Sequence, residues 1–165
     1  MRAVGLLLII LSLPVLIAWL RGNPGQRKWA YLGVGLLPFV MGALNLDAAF
    51  INWAGWPGYA KGIILSLLDT LALALLVTSK APLRKLPFTG IFIGYILAVL
   101  LSVFMSTLPM SSTFYFFQLL RIFLVFAAVA SFAGRPDAMR WLCFGLALGA
   151  IFQAVVTVDQ RLSGI

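Results

Sequence analysis

The chain of 165 residues has no histidine, no glutamate, a single cysteine and only four acidic residues, all aspartate. Without His and with Cys143 standing alone, no Cys/His zinc site can be assembled, and any catalytic triad that needs His is excluded. An intrachain disulfide is excluded for the same reason. No phosphate-cradling Gly-rich loop followed by Lys-Ser/Thr occurs, and no Gly-x-Ser-x-Gly elbow. No cofactor is called for. Charge is equally scarce, at 10% of residues against 63% hydrophobic, with a mean hydropathy of +1.09. An average soluble domain carries about 25% charged and roughly 45–50% apolar residues. A water-soluble fold of this size has nowhere to put so much apolar surface, so lipid is the solvent.

What the chain has instead is long apolar runs. Their lengths approach the roughly 20 residues a helix needs to cross about 30 Å of hydrocarbon. We read spans at 3–20, 30–46, 62–78, 88–107, 114–133 and 141–158. This predicts an all-α integral membrane protein, a bundle of about six transmembrane helices in one polytopic domain, 1–165. The breaks carry turn chemistry: Gly22-Asn23-Pro24-Gly25, Trp56-Pro57-Gly58, Ala81-Pro82, Leu108-Pro109 and Gly134-Arg135-Pro136-Asp137. Arg2 before an apolar stretch has the look of a signal peptide. The run Leu6 to Leu20 is longer than a typical signal core and no small-x-small site follows it, so it is read as the first span.

The net charge of +8 raises the question of nucleic acid, but the cations lie in short loops between apolar runs, where membrane topology explains them better. Loops 21–29, 79–87 and 134–140 hold Arg21, Arg27, Lys28, Lys80, Arg84, Lys85, Arg135 and Arg140; the other side holds Arg2, Lys61 and Arg161. Basic residues stay cytoplasmic, which places both termini outside, in the periplasm of a bacterial inner (plasma) membrane. The outer loop Phe50-Ile51-Asn52-Trp53-Ala54-Gly55-Trp56-Pro57-Gly58-Tyr59 reads as an interfacial aromatic belt or short re-entrant segment, because Trp and Tyr settle at headgroup level.

Two ionisable residues fall inside predicted spans, Asp69 and Arg121. A charge at bilayer depth costs at least about 2.5–3.5 kcal/mol, so such groups have partners or functions. Each lies seven residues into its span, about 10 Å below the outer boundary at 1.5 Å per residue, so they are matched in depth and can pair. Gln118 stands one turn from Arg121 on the same face and Ser66 one turn from Asp69. Gln153 and Asn45 belong to the same outer half. Two readings stay open: an intramembrane pair clamping two helices, or a polar cavity in which Arg121, with Gln118 and Gln153, binds an anionic lipid phosphate or diphosphate through its forked guanidinium. Gly90-Ile91-Phe92-Ile93-Gly94 and Gly145-Leu146-Ala147-Leu148-Gly149 have the spacing that lets helix backbones approach closely, and both read as packing faces.

The aromatic-rich span Phe114-Tyr115-Phe116-Phe117-Gln118-Leu119-Leu120-Arg121-Ile122-Phe123-Leu124-Val125-Phe126 is followed by a basic turn, Gly134-Arg135-Pro136-Asp137-Ala138-Met139-Arg140. A Gly-rich span ending in Phe152-Gln153-Ala154-Val155-Val156 and the tail Asp159-Gln160-Arg161-Leu162-Ser163-Gly164-Ile165 complete the pattern. Over roughly residues 60–165 this order resembles the N-terminal portion of the bacterial O-antigen ligase and polymerase superfamily, membrane glycosyltransferases acting on undecaprenyl-diphosphate-linked glycans. Family members have about twelve spans and a large periplasmic loop supplying arginines and a histidine; this chain has neither. The resemblance therefore implies the amino-terminal half of a surface-polysaccharide ligase, inactive in transfer alone, with membrane lipids and a lipid-linked glycan as partners and the remainder of a longer chain beside it. It maps no catalytic residue onto this chain. The alternatives are a six-helix transporter or channel subunit working as a homo-oligomer, and a structural membrane partner protein.

Overall fold

The computed structural model describes residues 2–44, 46–53, 62–79 and 88–163. Among the described residues there are six α-helices: α1 (Arg2–Gly22), α2 (Arg27–Leu44), α3 (Leu67–Thr78), α4 (Thr89–Phe104), α5 (Pro109–Phe132) and α6 (Pro136–Ser163). Three stretches, Val4–Gly22, Pro109–Phe132 and Pro136–Ser163, are long and apolar enough to cross a membrane. They mark the chain as a membrane protein. At 12 and 16 residues, α3 and α4 reach only about 18 and 24 Å at 1.5 Å per residue, short of the hydrocarbon thickness.

The predicted third span, 62–78, is corrected. Its first five residues are not helical but form a strand, β2 (Gly62–Ser66), paired antiparallel with β1 (Asp47–Asn52). The register runs from Asp47 opposite Ser66 to Asn52 opposite Gly62, with an irregularity between Ala49 and Ile51. An all-α fold is thus replaced by a helical one carrying a β-hairpin. The expected aromatic belt divides between β1, Trp53 and residues 54–59, which lie outside the described residues, as do Asn45, Lys61 and the loop residues Lys80 to Pro87. Two predicted breaks also move. Pro109 and Pro136 do not follow helix ends; each occupies the first helical position, where the missing N–H has no intrahelical partner to lose and the fixed φ favours the helix. Helices α5 and α6 therefore begin five residues earlier than the predicted spans at 114 and 141.

Helices α2 and α6 lie side by side and parallel. A Cβ on Gly35 would strike the Leu142 carbonyl, one on Gly145 the Leu32 carbonyl, and one on Gly149 the Phe39 ring. The expected face at Gly145 and Gly149 is thus a close backbone contact. The matching expectation for Gly90 and Gly94 is corrected: among the described residues nothing lies within 4 Å of a Cβ at either. Helix α4 instead packs on α5 through Phe92, whose ring centroid lies 5.2 Å from Phe123 and 4.7 Å from Phe126. Its other large side chains, among them Ile91, Tyr95, Leu101 and Phe104, face outward. The core gathers where α1, α2, α3 and the adjoining ends of α5 and α6 meet, around Leu20, Tyr31, Val34, Leu71, Leu75, Phe132 and Leu142.

Candidate functional site: a polar centre between α3 and α5

Ser66 ends β2 and caps α3. Its side chain accepts from the Asp69 backbone N–H at 3.4 Å, while the Asp69 carboxylate accepts from the Ser66 N–H and O–H, each at 2.8 Å. This reciprocal capping box satisfies amides at the helix start that have no intrahelical partner. It also fixes the carboxylate: Asp69 Oδ2 holds both Ser66 donors and points at α5.

There Arg121 Nε donates to Asp69 Oδ2 at 2.8 Å. Nη2 donates to Ser66 Oγ at 3.0 Å and Nη1 to Gln118 Oε1 at 3.2 Å. The structure therefore brings together Asp69, Arg121 and Gln118, and adds Ser66 as a direct partner of the guanidinium. A Ser-x-x-Asp ahead of an apolar run is a helix-start signal; it was present at Ser66-Leu67-Leu68-Asp69 and marks both the end of the strand and the fourth member of the site. The pair is nearly sealed, the side chains being 6% exposed for Asp69 and 17% for Arg121. One residue further along α3, the Ser12 hydroxyl donates to Thr70 Oγ1 at 3.0 Å, tying α1 to the same turn.

Arg121 is the thirteenth of 24 residues in α5 and Ser12 the eleventh of 21 in α1. Asp69 is the third residue of α3, directly after β2. The ion pair thus joins the start of α3 to the middle of α5.

Gln153 stands apart from this cluster. It lies on α6, which packs along α2, and its side chain is exposed. Its carbonyl accepts from Thr157 Oγ1 at 2.8 Å, and it does not join the cluster.

A groove of about 270 Å³ opens beside the pair, lined by Leu68, Asp69, Gln118, Arg121, Ile122 and Val125. Arg121 uses three of its five N–H groups in the contacts above, leaving two without a partner among the described residues. Asp69 Oδ1 is buried and has no hydrogen-bond partner among the described residues. The centre is thus electrically balanced, yet offers guanidinium donors and one carboxylate acceptor. Among the described residues no group of three metal-ligating side chains occurs. No family model, no curated protein and no solved structure matches this chain.

Proposed function

We propose that this chain is a multi-pass protein of the bacterial inner membrane, the amino-terminal half of an O-antigen ligase-like glycosyltransferase. In this reading its polar centre contacts the diphosphate of an undecaprenyl-linked glycan. The observation that supports it is the pair of guanidinium N–H groups of Arg121 that no described residue engages, beside Gln118 at the groove. The remaining N–H on each of Nη1 and Nη2 can donate to phosphate oxygens. The Asp69 carboxylate balances the charge, so the cation can sit among apolar neighbours until a ligand arrives. In detergent solution, titration with undecaprenyl diphosphate followed by native mass spectrometry tests this. Arg121→Lys keeps the charge and loses the fork; affinity is expected to fall about tenfold, the worth of roughly one charge-assisted hydrogen bond. Equal binding by the variant and the parent protein rejects the reading.

The unpartnered Asp69 Oδ1 favours a second reading, a small transporter subunit in which that oxygen takes the coupling ion. Ion flux in proteoliposomes that is lost in Asp69→Asn would support it over the first.

A further inference from the structure

The opposite end of the molecule holds a second polar feature that the centre at Asp69 does not use. A 3₁₀ turn, Pro24–Gln26, and the start of α2 form one wall of a cavity of about 450 Å³; the α5–α6 turn and the start of α6 form the other. Arg27, Lys28 and Arg135 line it, with Asp137 as the one acidic side chain and Trp141 at its edge. The excess is two positive charges. Arg27 is held in place by carbonyls at two helix ends, donating through Nε to Leu20 at 3.4 Å and through Nη2 to Thr78 at 3.3 Å. Three of its five N–H groups have no partner among the described residues. Lys28 Nζ sits over two indoles, 5.7 Å from the Trp29 ring and 5.6 Å from the Trp141 ring, themselves 5.6 Å apart. The first turn of α6 adds the positive end of a 28-residue helix.

We infer that this cleft is a binding site for the phosphate group of an anionic phospholipid. Retention of cations on one side of a membrane explains why basic residues occur at this end. It does not explain why cations from two separate connections converge on one cavity, one of them fixed by backbone carbonyls and another seated on paired tryptophans. The position argues for lipid as the source of the phosphate. The cleft lies where α1 and α5 end and α6 begins, the three helices that are long and apolar enough to cross a membrane. Tryptophan at such an end settles among headgroups, with its ring apolar and its N–H wet. Basic pockets between helices at that level bind anionic headgroups. The Asp137 carboxylate excludes a second anionic charge from the α6 side, which favours a monoanionic phosphodiester over a phosphomonoester.

The test is native mass spectrometry of the detergent-solubilised protein titrated with phosphatidylglycerol or phosphatidylcholine of matched acyl chains. Phosphatidylglycerol is expected to bind more tightly. In Lys28→Gln/Arg135→Gln that binding falls by roughly 25-fold, about fivefold for each cation removed near an anionic headgroup. Both side chains are exposed, so an unchanged circular dichroism spectrum accompanies the loss. Arg161→Gln, at the far end of α6, leaves binding as it was. Retention of phosphatidylglycerol in millimolar inorganic phosphate identifies the lipid as the source; displacement identifies a soluble phosphate. Equal binding of the two lipids, or of phosphatidylglycerol by the double variant and the parent protein, overturns the inference.

Discussion

Two helix seams in this molecule are built on opposite principles. Along α2 and α6, glycines bring backbone to backbone, and nothing polar is needed. Between the start of α3 and the middle of α5, the contact is a guanidinium, a carboxylate and a hydroxyl joined by hydrogen bonds. In a hydrocarbon solvent, apolar side chains gain nothing by leaving lipid for one another, so helices associate through close van der Waals contact or through polar groups. The glycine seam depends on shape and fails when volume is added. The polar seam depends on mutual satisfaction and fails when one partner is removed.

The largest effect is expected from Asp69→Leu, which leaves Arg121 buried without its counter-charge. Removing one member of a buried pair costs about 3–5 kcal/mol, to be read as a lowered denaturation midpoint in detergent. The double variant Asp69→Leu/Arg121→Met should recover most of that loss if the pair only clamps. A stable double variant that no longer binds lipid diphosphate would separate ligand contact from clamping. Next comes Gly145→Ala, where a methyl must displace the Leu32 carbonyl; overpacking of this kind costs about 1–3 kcal/mol. If its midpoint is unchanged, α2 and α6 do not meet as described. The smallest effect belongs to Gly94→Ala. Its Cβ meets nothing among the described residues, and replacing a mid-helix glycine is expected to stabilise by roughly 0.5–1 kcal/mol. A destabilised Gly94→Ala would show instead that this face of α4 is covered.

Much of the architecture was legible because hydropathy and turn chemistry act locally. Gly22-Asn23-Pro24-Gly25 interrupts two apolar runs and separates α1 from α2. The hairpin was not legible in the same way. Gly62-Ile63-Ile64-Leu65 continues into Leu67 and Leu68 with only Ser66 between them, and a short apolar run reads alike as buried helix or strand. The distinguishing signal was the capping pattern at Ser66 and Asp69, which marks a helix start inside what hydropathy presents as one span. Gln153 shows a different limit. Matching depths fixes a level along the bundle, not which helices are neighbours at that level, and α6 packs against α2. The two Gly-xxx-Gly stretches make the same point, since identical spacing is a tight seam in α6 and an outward face in α4.

The hairpin has a consequence for what must surround it. A two-stranded ribbon has amides and carbonyls along its outer edges that its own pairing does not use, and acyl chains can offer them no partner. Those groups therefore call for water or for polar partners from the elements packed on the ribbon, α1 beside β1 and α5 beside β2. Since β2 runs directly into Ser66 and Asp69, that demand reaches to within a turn of the buried carboxylate.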